Sequence, residues 1–188
     1  ALLQAPVLLP PAEGDDAGID AAQRALASAR DALQAALRSD GERFLDALAA
    51  AIDADVMNRN SYRQEWLAEL RAWLLAFAVA AERGDGVHPK LEKLTSEALE
   101  KGTKAAHKAR TPTSPISAAV TAFLAALGDV EISHARRRAA LLHRLRDDAR
   151  VRIAKLKRQR GVQGYDDLIA GVADALAGPR ADALADAL

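Results

Sequence analysis

Glu131 and His134 stand three residues apart, the spacing that carboxylate-bridged di-iron bundles use for half of a metal site. Such a site needs a second Glu-x-x-His pair and two further Glu. None of His88, His107 and His143 has a Glu three residues before it, so no metal site is expected. Asp166 and Asp167 look like a metal pair, but two acids in the first turn of a helix are already accounted for by capping and the helix dipole. No Gly-rich loop ends in Lys-Ser or Lys-Thr, so the chain has no nucleotide cradle. No Ser or Thr sits in a nucleophile motif. An independent helical enzyme would therefore lack its catalytic constellation.

What remains is positive charge at particular places. The 188 residues hold 26 Lys and Arg against 26 Asp and Glu, a formal net charge of zero. The balance hides a gradient. Residues 1–60 carry ten acids and five bases, residues 161–188 five acids and one base, and residues 136–160 eleven bases and two acids. Local charge, not the total, attracts a polyanion. A second basic stretch, residues 101–115, reads as a loop with Lys101, Lys104, Lys108 and Arg110.

Helices must position these groups. Ala and Leu dominate, β-branched residues are few, and period-two alternation is short-lived. The expected fold is all-α, an irregular multi-helix arm with one long basic helix. Residues 1–17, with Pro6, Pro10, Pro11 and Gly14, read as a linker or extended tail. Asp20 is expected to cap a helix to about Arg38, and Asp40 to start a second through Phe44, Leu48 and Ile52. Ser61 with Gln64 reads as a capping box. It would open a long helix whose stripe of Trp66, Leu67, Leu70, Trp73, Leu74, Phe77 and Ala81 packs in the core, and Gly84 would end it. Pro89 suits the first turn of a short helix through Leu91 and Leu94, and Thr95 or Ser96 starts another. Pro115 restarts a helix that Gly128 is expected to end.

From about Val130 to Arg158 the chain reads as one helix. Leu141, Leu142, Leu145, Ala149, Ile153 and Leu156 fall within about 120° of arc at 100° per residue. Arg136, Arg137, Arg144, Arg150, Lys155, Lys157 and Arg158 lie outside that stripe, so one face can pack while the rest stays charged. This helix can be a solvated face, a phosphate-binding surface or a membrane-surface element. Its stripe lacks Trp and Phe, which disfavours the membrane, and no apolar run is expected to span one. Gly161 and Gly164 break the helix, and Tyr165, Asp166 and Asp167 begin another that buries Leu168, Ile169, Val172 and Leu176. Gly178 and Pro179 separate it from the last Ala/Leu/Asp stretch. The absence of Cys excludes disulfides and Cys-ligated zinc and fits a reducing cytosol. Both ends, one without a starting Met and one inside a helical pattern, read as cut.

At residues 158–169 the string RQRGVQGYDDLI resembles the RxRGxxxFDDLL segment of RecB, the beta subunit of bacterial exodeoxyribonuclease V, and of related UvrD-like superfamily helicases. Arg158, Arg160, Gly161, Tyr165, Asp166, Asp167 and Leu168 match, with Tyr165 in place of Phe. In the same order, NRNSYRQEWL at 58–67 and LEKLTSEALEKGTK at 91–104 are similar to further stretches of that family. The resemblance implies a helical 1B arm over 18–160 that reaches towards duplex DNA, with 161–188 returning to the first motor domain. It implies an ATP-dependent DNA helicase and exonuclease in the bacterial cytoplasm as parent, acting in double-strand break repair and recombination. ATP and magnesium would belong to that parent and no cofactor to these residues. Duplex DNA and the other subunits of exodeoxyribonuclease V would be the partners, with no membrane. The rival expectation is a structural or subunit-docking arm that does not touch DNA, its bases dispersed or paired with acids.

Overall fold

Among the residues that the computed structural model describes, 16–80 and 86–178, the chain is all helix without a strand. Residues 1–15 of the expected 1–17 tail, the stripe position Ala81, the expected stop at Gly84 and the stretch 179–188 lie outside the described residues, while Asp16 and Ala17 belong to a helix and not to a tail. Helix α1 spans Asp16–Asp53, α2 Gln64–Val79, α3 Ser96–Gly102, α4 Pro115–Arg160 and α5 Tyr165–Ala177. Two 3-10 helices, Leu91–Leu94 and Ala105–Arg110, lie on either side of α3. The chain divides into two units, residues 14–137 and a second that includes 138–178.

Helix α1 replaces the two helices expected on either side of residue 39. Gly41 costs a helix interior about 1 kcal/mol relative to Ala, but it lies buried among Leu37, Phe44 and Leu45, whose burial offsets that cost. Asp40 does not cap its own helix. Its carboxylate accepts from the Ser114 hydroxyl at 2.7 Å, and the Ser114 oxygen accepts from the Ile116 amide at 3.2 Å. Asp40 thereby steadies the start of α4, and the Arg43 guanidinium and this hydroxyl together hold its carboxyl below the usual range.

Helices α1 and α2 run antiparallel, and polar side chains fix their register. Gln34 Nε2 donates to the carbonyls of Phe77 (2.9 Å) and Ala80 (3.0 Å), and Arg38 donates to that of Ala78 (2.8 Å). These bonds satisfy the carbonyls that a helix end leaves without intrahelical partners. Arg71 donates to Glu42 at 2.7 Å and Asp46 at 2.6 Å, and Gln64 to the Ala49 carbonyl at 3.0 Å. Gln64 is thus spent on α1. The expected Ser61 capping box does not form, and α2 begins after Arg63 without a side-chain cap.

The core of residues 14–137 joins Leu33, Leu48, Leu70, Leu74, Leu91 and Leu94, all fully buried. Burying one such side chain is worth about 1.5–3 kcal/mol. The tryptophans expected at the centre sit at its margin. Trp73 stacks on Phe77 with ring centroids 5.0 Å apart, and both it and Trp66 are half-buried. Tyr62 takes the central place instead. It is 1% exposed, donates to the Lys93 carbonyl at 2.8 Å, and burial pushes its hydroxyl up to about 12. Its ring lies where Gly102 leaves room, since a Cβ on Gly102 would fall 2.1 Å from Tyr62 Cε2.

Helix α4 passes through Gly128 without stopping, although the sequence suggests a helix end there. By length and composition α4 also contains a stretch apolar enough to cross a membrane, which corrects the expectation of no such run. Within that helix Ile116, Val120 and Phe123 belong to the core.

Candidate nucleic-acid interface

The first basic element is less of a loop than expected. Its centre is the 3-10 helix Ala105–Arg110, and its cations differ in their freedom. Lys104 is tied down. Its ammonium pairs with Asp55 at 2.6 Å, and its amide donates to the Val56 carbonyl at 3.0 Å. Asp55 occupies the left-handed region with φ 57°, which Asp tolerates better than most residues. The amides of Asp55 and Val56 donate to the Ile52 and Ala51 carbonyls, closing α1. Lys104, by hydrogen bond, holds the Asp55 carboxyl below its ordinary range. Lys101 pairs with Glu97, and Lys108 donates to the Glu100 carbonyl. Arg110 is exposed and makes no ion pair among the described residues.

The second element is the basic part of α4, most of it in the unit that includes 138–178. Arg144, Arg150, Lys155 and Arg158 are exposed and fall within about 140° of arc at 100° per residue, roughly opposite the apolar stripe; Arg136, in the other unit, is exposed as well. These four extend over about 21 Å at 1.5 Å per residue. Asp147 lies on the same face. Arg146, bonded to it at 2.9 Å, holds its carboxyl below the usual range, with Arg150 and His143 adding to the effect. One fixed negative charge thus interrupts the row. Two expected members stand apart. Arg137 pairs with Asp16 at 2.7 Å and is only 24% exposed, and Lys157 pairs with Asp167 at 2.6 Å.

The apolar stripe is the main correction on this helix. Leu141, Leu142, Leu145, Ile153 and Leu156 are 39–61% exposed, while Ala139 and Ala140 are buried. Three bases that the sequence reading did not single out, Arg138, Arg152 and Arg160, are also exposed. At 100° per residue they fall within the arc of the stripe. Helical numbering alone places these three charged residues on the same face as the leucines.

The segment 158–168 is built from two helix ends. Gly161 takes φ 62°, its amide donates to the Arg158 carbonyl, and the Val162 amide donates to the Lys157 carbonyl at 3.0 Å. This is the pattern in which a left-handed residue stops a helix and satisfies its last carbonyls. Gly164 then precedes α5. The Asp167 carboxylate accepts from the Gly164 amide at 2.7 Å and from Lys157 Nζ at 2.6 Å. Lys157 first, then that amide, holds the Asp167 carboxyl below its usual range. Asp166 is exposed in the first turn of α5. Tyr165 is 78% exposed, and Leu168, Ile169, Val172 and Leu176 are 42–53% exposed, not buried as expected.

Glu131 and His134 gather no further ligand, and no group of three or more metal-ligating side chains occurs among the described residues. A cavity of about 520 Å³ opens within residues 14–137, lined by Leu26, Arg30, Phe77, Phe123, Leu127 and His134, among others. Arg30 lies over the Phe77 ring at 5.3 Å. The sequence matches no protein-family profile and no curated protein.

Proposed function

We propose that this chain is a DNA-contacting helical arm of an ATP-dependent DNA helicase and exonuclease subunit of the RecB type, acting in the bacterial cytoplasm. The exposed basic face of α4 carries the proposal. A row of Lys and Arg displaces the counterions condensed on a duplex, which gives affinity without sequence preference. The arm would supply grip on the duplex. ATP, magnesium and strand separation would belong to the rest of the parent, and other subunits of the complex would be its neighbours. The resemblance at residues 158–169 supports the family. Because Gly161 and Asp167 also have local work at two helix ends, the bases of α4 weigh more.

Binding of labelled duplexes of unrelated sequence tests the reading. Equal, weak affinities are expected, about 10⁻⁴–10⁻⁶ M at physiological salt, with no ATP turnover by the chain alone. No binding at low salt, or strong preference for one sequence, would remove it.

One observation favours the rival docking arm. Lys104, Arg137 and Lys157 are paired with acids, and the apolar faces of α4 and α5 stand open. That arm would hold its stability and bind no duplex.

A further inference from the structure

Within residues 14–137, helices α1 and α4 are tied to each other at two places. Asp16 pairs with Arg137 at 2.7 Å, and Asp40 accepts from the Ser114 hydroxyl at 2.7 Å. Between these ties lies the cavity of about 520 Å³. Its lining runs from Gln23 to Gln34 on α1 and from Phe123 to His134 on α4, eleven residue steps on each helix. The lining positions recur at three and four residues, which keeps them on one face of each helix. At 1.5 Å per residue the cleft is roughly 16 Å long. Pockets of about 300–1,000 Å³ with a mainly apolar wall and a few polar groups are the common form of a small-molecule site, and they occur between helices of a bundle.

The wall narrows the chemistry of the ligand. Leu26, Phe77, Phe123, Leu127 and Val130 make it mainly apolar, and Phe77 meets Phe123 edge to face with centroids 5.6 Å apart. Arg30 and Asp31 bring one charge of each sign, so the wall favours an uncharged molecule over an ion. Gln34 sets the polar group. It is 9% exposed and lines the cavity, and its Nε2 donates to both the Phe77 and the Ala80 carbonyls. Its Oε1 accepts from no group among the described residues and is not sealed from solvent. An amide with both N–H donors engaged can only accept, so a ligand beside it must bring an O–H or an N–H.

We propose that this cavity binds an uncharged aromatic molecule with an apolar tail, a phenol or an indole, whose O–H or N–H donates to Gln34 Oε1. The tail lies along Leu26, Leu127 and Val130. The site needs neither DNA nor the exposed bases of α4.

Titration of the full chain, without DNA, with 4-propylphenol, 4-propylanisole and 4-propylbenzoate tests this by calorimetry and by Leu and Val methyl NMR signals. The phenol should saturate one site with Kd below about 1 mM, within reach of a ligand of its size. It should shift the methyls of Leu26, Leu127 and Val130 and leave those of Leu168 and Val172 in α5 in place. The anisole has no donor and should bind roughly threefold to tenfold more weakly, the worth of one hydrogen bond. The benzoate, charged and able only to accept, should bind more weakly than the phenol. Leu127→Trp fills the cleft from a half-buried position; it should keep the helical circular dichroism of the wild type and abolish binding of the phenol. Ala27→Phe, at an exposed position of the wall, serves the same purpose if Leu127→Trp does not fold. No saturation by the phenol, equal affinity for phenol and anisole, tighter binding of the benzoate, shifts confined to α5, or unchanged affinity in the filled variant would each overturn the proposal.

Discussion

Gly102→Ala should be among the most damaging small substitutions in the chain. The added Cβ would lie 2.1 Å from Tyr62 Cε2 and 2.9 Å from Cδ2 and Cζ, whereas carbon atoms rest at about 3.5–4.0 Å. The ring must move by more than an ångström. It cannot do so freely, because it is 1% exposed, donates to the Lys93 carbonyl, and packs on Trp66 with centroids 5.6 Å apart. Overpacking of this kind costs about 1–3 kcal/mol, and losing the buried hydrogen bond costs about 1 kcal/mol more. Gly102 ends α3, so the helix gains little from Ala. The expected loss is about 2–4 kcal/mol. At roughly 2–4 °C per kcal/mol for a chain of this size, Tm should fall by about 4–16 °C. Urea denaturation should show a lower midpoint with an unchanged slope. Gly41→Ala is the control. Its Cβ meets only Leu37, at 3.8 Å, and it should stabilise α1 by about 0.5–1 kcal/mol. If Gly102→Ala changes stability by less than about 0.5 kcal/mol, the Tyr62–Gly102 contact is wrong.

Gly128→Ala should stabilise by about 0.5–1 kcal/mol, since nothing lies within 4 Å of its Cβ and α4 continues through it; a drop in Tm would mean a left-handed helix end at that residue. Because burial raises the Tyr62 hydroxyl to about 12, its contribution should be complete below the unfolded value of about 10. It should be lost as pH rises from there to 12, a change of roughly 3 kcal/mol. Urea midpoints across that range should show the fall in the wild type, and Tyr62→Phe should abolish this component. Gln34→Ala should cost about 1–3 kcal/mol by stranding the Phe77 and Ala80 carbonyls; an unchanged thermal melt would refute that role.

Local signals predicted the structure well where a helix end is decided locally. The all-α class, the Thr95 cap of α3, the start of α4 at Pro115 and the stop at Gly161 all follow from the chain's own composition and turn chemistry. The errors fall where a distant partner decides. Asp40 looks like a cap for its own helix and instead holds Ser114, 74 residues away. Gln64 looks like half of a capping box and instead bonds α1. The fit of Tyr62 against Gly102 has no sequence pattern at all. In the candidate site, four of the singled-out bases of α4, Arg144, Arg150, Lys155 and Arg158, share one exposed face, as helical spacing requires. That Asp16, Asp55 and Asp167 would claim Arg137, Lys104 and Lys157 depends on folding or on turn geometry that charge counts do not contain. For the stripe of α4, periodicity shows that residues share a face, but not that anything covers it.

The salt dependence of duplex binding tests the proposed role of α4 most directly. Each phosphate neutralised contributes about −0.9 to the slope of log K against log salt, so an arm touching three or four phosphates should give roughly −3. Arg136, Arg144, Lys155 and Arg158 are the residues to replace together by Gln. They are exposed and lie off the apolar stripe, and none of them makes an ion pair with an acid among the described residues. The account predicts that the quadruple variant melts like the wild type, binds duplex more weakly at low salt, and has a slope close to zero. Equal affinities and equal slopes for the two proteins would contradict it and leave α4 a solvated helix.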